Sequence, residues 1–104
     1  MSNRQRFENK VVIVTGAAQG IGRGVALQVA SEGAQVIMAD LSPYVEEVLA
    51  EIEATGGDAI TVKANLETFA GAQSVVEKAL ETYGRVDALI NNVGGAIWMK
   101  PFEE

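Results

Sequence analysis

The sequence holds neither cysteine nor histidine. Disulfides, Cys/His zinc sites, thiol nucleophiles and every catalytic triad built on an imidazole base are thereby excluded. No stretch approaches the roughly 20 apolar residues of a membrane span, and Met1 to Lys10 is polar and charged, without the apolar core of a signal peptide. Together with the lack of cysteine, this reads as a cytoplasmic chain that does not enter a membrane. The eight Lys and Arg are scattered beneath a formal charge of -6, so there is no basic footprint for nucleic acid or an anionic lipid surface. Internal repeats, low-complexity tracts and linkers are missing too.

What is present is an ordinary globular composition, 48% apolar and 21% charged over 104 residues, enough for one small domain. A domain of this size buries only about 60 to 65% of its unfolded surface, so each layer of the core counts. Val11 to Val14 is a short β-branched run ended by Thr15-Gly16, apolar on both faces as a buried parallel strand requires. From Gly20 the apolar residues Ile21, Val25 and Val29 recur at helical spacing, and Gly33 follows as a left-handed cap. Gln35 to Ala39 reads as a second strand, closed by Asp40.

Ser42-Pro43 places a capping hydroxyl before proline at a helix start, and Glu46 and Glu47 suit the positive end of the helix dipole. The stripe of that helix is Tyr44, Val45, Val48, Leu49 and Ile52, ended by Gly56-Gly57. Ala59 to Lys63 follows as a third strand. Val75, Val76, Ala79, Leu80 and Tyr83 mark a third helix stopped by Gly84, and Asp87 to Asn91 is a fourth strand. After Asn91 the pattern fades, and only Pro101-Phe102-Glu103-Glu104 reads as the start of another helix.

Strands alternating with helices of this length imply right-handed crossovers and parallel pairing. The expected class is therefore α/β, a doubly wound parallel sheet of the Rossmann type in the order 3-2-1-4, with ligand beyond the carboxyl ends of the strands where strands 1 and 4 part.

Between the first strand and first helix stands Thr15-Gly16-Ala17-Ala18-Gln19-Gly20-Ile21-Gly22. Here Gly16 permits a sharp exit from the strand, Gly20 lets backbone approach a pyrophosphate, and Gly22 allows close helix-sheet packing. Free N–H groups and the helix dipole would face the anion, so a net acidic chain can still bind phosphate locally. Read alone, the cluster is a tight βα turn. Asp40 adds an acid at the end of the second strand, placed to accept from the adenosine ribose hydroxyls; otherwise it is a capping or surface carboxylate. That carboxylate would repel the extra phosphate of NADP, and neither Gln19 nor Leu41 offers a cation, so NAD is the expected cofactor.

These residues resemble the short-chain dehydrogenase/reductase family: Thr15-Gly16-x-x-x-Gly20-Ile21-Gly22, Asp87-Ala-Leu89, then Asn91-Asn92-Val93-Gly94, with Val93 standing where alanine is usual. The likeness runs from Lys10 to about Gly95. It implies that Gly16, Gln19, Gly20, Ile21 and Gly22 wrap the pyrophosphate, Asp40 the ribose, and Asn65 with Leu66 the adenine edge, while Asn91 lies beside the cofactor. Many members carry Asp where Asn65 stands, but an amide oxygen can also accept from the adenine amino group. Within the family, Arg6-Phe7, Ala17-Ala18-Gln19 and the segment Asn91 to Glu103 are similar to the bacterial cis-diol dehydrogenases of benzoate breakdown. That similarity implies a cyclic diol carboxylate as the small-molecule substrate, oxidised by NAD to catechol, carbon dioxide and NADH. Ile97 and Trp98 would line an apolar pocket for the ring, or Trp98 packs on its own loop.

The family's chemistry uses a tyrosine paired with a lysine four residues later and a positioning serine. Tyr44 is followed at that place by Val48 and Tyr83 by Asp87, so no catalytic residue is assigned. Members of the family are considerably longer. Residues 1–104 are thus expected to be the amino-terminal NAD-binding part of one Rossmann domain, active only with the rest, its fourth strand left without a neighbour. The resemblance implies a homo-oligomer for the complete enzyme, through helices outside this chain. Two other readings stand beside this one: a non-catalytic nucleotide-binding module or inactive fragment, and a dehydrogenase of another alcohol or ketone.

Overall fold

The chain folds as β1 (Val11–Thr15), α1 (Gly20–Ser31), β2 (Gln35–Ala39), α2 (Val45–Ala54), β3 (Asp58–Val62), α3 (Phe69–Tyr83), β4 (Ala88–Asn91) and β5 (Trp98–Pro101). This is a computed structural model, and it describes residues 7–18, 20–65, 68–92 and the backbone of 98–101. One sheet holds all five strands in the order β3-β2-β1-β4-β5. β1 pairs in parallel with β2, Val11 opposite Gln35 through Thr15 opposite Ala39, and with β4 from Val12 opposite Ala88. β2 pairs in parallel with β3, so the expected order 3-2-1-4 is present.

Strand alternation divides the core into two layers. Val12, Val14, Val36, Met38 and Ile90 point to the face covered by α1 and α2, where Ala26, Val29, Val45, Val48 and Ile52 meet them. Val11, Ile13, Ile37 and Ala39 point to the opposite face, against Val75, Ala79 and Val86. Gly33, Gly56 and Gly84 all take positive φ just past helix ends, as expected. Among the described residues no helix is long and apolar enough to cross a membrane.

Three helix faces differ from expectation. α1 turns Gly22, Ala26, Val29 and Ala30 inward, while Ile21 is 62% exposed and Val25 only partly buried. Small side chains bring the helix axis close to the sheet, which bulky residues at 21 and 25 could not do. In α2 the buried stripe is Val45, Val48 and Ile52; Tyr44 precedes the helix and is 57% exposed. The helix start also lies later than expected: Ser42 Oγ accepts from the Tyr44 N–H at 3.2 Å within the preceding turn, but the N-cap is Tyr44 with no side-chain cap bond, so Ser42 is not the cap and Pro43 not the first helical residue. In α3 Val75 and Ala79 are buried while Leu80 is 49% exposed, because the helix covers β1 and β2 with one narrow face.

β4 is not left without a neighbour. β5 runs antiparallel along it, Ala88 opposite Pro101 and Asn91 opposite Trp98. A connection as short as 92–97 can only join antiparallel neighbours, and a strand open on one side has backbone groups to satisfy. Pro101 is thus the end of a strand rather than a helix start, and an edge position tolerates its missing N–H. Phe102, Glu103 and Glu104 lie outside the described residues.

β1 and β4 are fastened at their amino ends by Asp87. Its N–H donates to the Val11 carbonyl at 2.8 Å; its Oδ2 accepts from the Val11 N–H at 2.7 Å and its Oδ1 from Arg85 Nη2 at 2.6 Å. Partial burial pushes the carboxyl up, but the Arg85 hydrogen bond, the Val11 amide and the charges of Arg85 and Lys10 outweigh it and hold it below the usual range. A folded-state value below the unfolded one, about 3.9, adds stability above that pH and loses it as pH falls through the folded value. Asp87→Ala should therefore cost about 1 to 3 kcal/mol at neutral pH by stranding the buried Val11 amide. Thermal melts should show parent and variant converging below about pH 4; a constant gap down to strong acid would contradict this role.

Candidate functional site

The carboxyl ends of β1, β2 and β4 meet at the glycine turn. Gly16 and Gly20 have φ of +62° and +64°, a left-handed region that glycine enters without the steric penalty a Cβ carries. The Gly16 N–H donates to the Ala39 carbonyl at 2.9 Å, tying the turn to the end of β2. A Cβ on Gly22 would lie 2.0 Å from the Gly16 carbonyl oxygen and 2.7 Å from Asn92 Nδ2. Gly22 therefore serves the packing of helix onto turn more than helix onto sheet. Around Gly20 a Cβ would meet nothing within 4 Å, so the backbone there borders open space. Ile21, beside it, is exposed.

Asp40 follows β2, as the sequence indicates. Its Oδ2 accepts from the Ala18 N–H at 3.0 Å and its Oδ1 from the Ser42 N–H at 2.9 Å. The second bond is the Asx turn that aspartate forms with its own backbone two residues on. So the turn's N–H groups are not all turned to a ligand: those of Gly16 and Ala18 are used within the protein. Leu41, next to Asp40, is exposed. Arg23, on the first turns of α1, is held by the Glu51 carboxylate of α2.

Asn91 sits at the end of β4, and its Oδ1 accepts from the Thr15 hydroxyl at 2.9 Å. Thr15 is buried, and its Oγ1 in turn accepts from the Asn92 N–H at 2.9 Å, while Asn92 Nδ2 donates to the Gly16 carbonyl at 3.3 Å. Asn92 and Thr15 thus join β4 to the glycine turn, a role the sequence reading did not give them. A threonine directly before the first glycine and a second amide after Asn91 were the signals available. Thr15→Val keeps the shape but removes both hydrogen bonds, and should cost about 1 to 3 kcal/mol. Thermal melting checks this, and an unchanged Tm would show that the network carries little.

Asn65 lies in the connection from β3 to α3, exposed at the carboxyl end of the sheet. Its carbonyl accepts from the Thr68 N–H at 3.2 Å and the Thr68 hydroxyl at 3.0 Å. Thr68 caps α3 by accepting from the Gly71 N–H at 2.9 Å. A Cβ on Gly71 would stand 1.9 Å from the Asn65 carbonyl oxygen, so glycine there sets how closely α3 abuts this connection. Gln19, Leu66 and Ile97 lie outside the described residues, as does the side chain of Trp98. Gly16, Gly20, Gly22, Asp40, Asn65 and Asn91 thus gather at one end of the sheet. Tyr83 lies at the other, its hydroxyl donating to Asp58 Oδ1 at 3.0 Å at the start of β3. Burial, the Asp58 hydrogen bond and the Asp58 charge all push the phenol up, away from any role as a base.

An open parallel sheet wound in this order, with a glycine turn opening α1 and an acid ending β2, is a Rossmann-type α/β fold. The chain belongs to the short chain dehydrogenase family, whose sequence profile matches residues 10–104. It is 65% identical over 104 residues to the 1,6-dihydroxycyclohexa-2,4-diene-1-carboxylate dehydrogenase of Acinetobacter baylyi, all of this chain and 40% of that protein. To the protein of the same name from Pseudomonas putida it is 50% identical over 99 residues, 95% of this chain and 36% of that one. A hydroxysteroid dehydrogenase structure from Escherichia coli matches with a TM-score of 0.82 at 30% identity, over 88% of this chain and 38% of that one. The chain spans about 40% of the length of the Acinetobacter relative.

Proposed function

We propose that residues 1–104 are the NAD-binding part of a dehydrogenase that oxidises a cyclic cis-diol carboxylate to an aromatic diol. The observation that carries this reading is the 65% identity sustained over the whole chain with a dehydrogenase named for such a substrate. NAD, when bound, supplies the hydride acceptor, and the balanced reaction is diol carboxylate plus NAD⁺ giving catechol, carbon dioxide and NADH.

The residues present suit such a ligand. Open space beside Gly20 admits a pyrophosphate against backbone, where the start of α1 favours negative charge. Each Asp40 oxygen has accepted one hydrogen bond and keeps capacity for a ribose hydroxyl. Asn65 stands at the same end of the sheet for an adenine edge. Asn91 would help shape the crevice, its amide oxygen held by Thr15. Gln19, Ile21 and Leu66 complete the set by resemblance.

None of these residues moves a proton at the reacting carbon. The part proposed here binds and orients the cofactor, and the proton-transfer groups belong to the remainder of a longer domain. The test is NADH formation by the full-length protein, supplied separately with a benzoate-derived cis-diol and with generic secondary alcohols. Turnover of the diol acid at a kcat/KM well above the others is expected. Preference for a simple alcohol would move the substrate elsewhere in the family, and NAD binding without any turnover would make the protein a non-catalytic binding module.

A further inference from the structure

Ribose recognition alone does not require the backbone contacts that Asp40 makes. Gly16 and Gly20 both sit at positive φ, and glycine gives up more freedom on ordering than other residues, so fixing this turn carries an entropic cost. The turn's start is anchored twice, by the Gly16 N–H on the Ala39 carbonyl and by the Gly16 carbonyl on Asn92. Its middle is anchored by the buried Ala18 amide on Asp40 Oδ2 at 3.0 Å. We propose that Asp40 is a positioning residue for the phosphate-binding turn as well as an acceptor for the ribose, so that one carboxylate couples recognition of the ribose and of the diphosphate of the same nucleotide.

The proposal rests on the reading of Asp40 as the ribose acceptor and extends it. The Ser42 N–H fixes the carboxylate's rotation through Oδ1, which directs Oδ2 at Ala18 and leaves a second lone pair on each oxygen for the ribose. A hydrogen bond to a charged acceptor is roughly twice as strong as a neutral one. The turn is thus shaped before any ligand arrives, and the ordering cost is not taken from binding.

The test uses the full-length protein with two ligands, ADP and 2′,3′-dideoxy-ADP, the second having no ribose hydroxyl to offer. Calorimetry should show that Asp40→Ala binds the dideoxy compound roughly tenfold more weakly than the parent. Asp40→Asn, whose amide oxygen can still accept from Ala18, should recover part of that loss. Equal affinity of Asp40→Ala and parent for the dideoxy compound would overturn the positioning role. Equal affinity of the parent for the two ligands would instead overturn the ribose contact, and the dideoxy loss in Asp40→Ala would then still support the positioning role. Should Asp40→Ala not fold, amide exchange in the ligand-free parent decides. The Ala18 N–H should exchange as slowly as the amides of β1, and free exchange would refute the proposal.

Discussion

Gly22→Ala is expected to weaken NAD binding by about ten- to a hundredfold, the span of a hydrogen bond to a charged group lost where turn and helix would meet the phosphate. The added methyl would stand 2.0 Å from the Gly16 carbonyl oxygen and 2.7 Å from Asn92 Nδ2. The first neighbour is backbone and cannot swing aside, so α1 and the turn must separate. Stability should fall with it, by about 1 to 3 kcal/mol, as when an extra group is forced into a packed interior. Gly24 is the built-in control: it lies in the same helix, and a Cβ there meets nothing within 4 Å. Gly24→Ala should leave binding unchanged and stabilise by about 0.5 to 1 kcal/mol through helix propensity. Calorimetry with NAD and thermal melts on both variants separate the two cases. Equal behaviour of the pair would mean that the close approach at Gly22 does not matter.

Asp40→Ala should raise the Kd for NAD by about ten- to a hundredfold, the span of a hydrogen bond to a charged group. NADP should lose less, because the variant also removes a negative charge that would face its extra phosphate. The ratio of the two affinities is the informative quantity, since any loosening of the turn through Ala18 weakens both cofactors alike. Equal losses would refute the ribose assignment.

Strand and helix order was legible because β-branched runs and glycine stops alternate regularly, and parallel crossovers allow few arrangements. What escaped lies where tertiary context outweighs periodicity. Ile21, Val25 and Val29 make the more apolar stripe of α1, yet Gly22, Ala26 and Ala30 are its inner face beside Val29. Hydrophobic spacing marks bulk, whereas close helix-sheet approach selects for smallness. Tyr44 and Leu80 fit helical stripes whose edges the sheet does not reach. β5 is short, carries a lysine and ends on proline, so its pairing with β4 depends on the edge it covers rather than on its own pattern.

The site shows the same division. Glycine spacing and the acid after β2 were readable because backbone conformation and close approach restrict residue type. The links that connect them were not: Thr15 to Asn91 and Asn92, and Asp40 to Ala18, join positions far apart in sequence, and nothing local distinguishes such side chains from ordinary turn residues.

As proposed above, this end of the sheet holds NAD and, through Asp40, prefers it to NADP. The most direct measurement is calorimetric titration of the full-length protein with each cofactor. Saturable NAD binding at least tenfold tighter than that of NADP is expected, the span of one hydrogen bond to a charged group. No binding of either, or tighter binding of NADP, would contradict it.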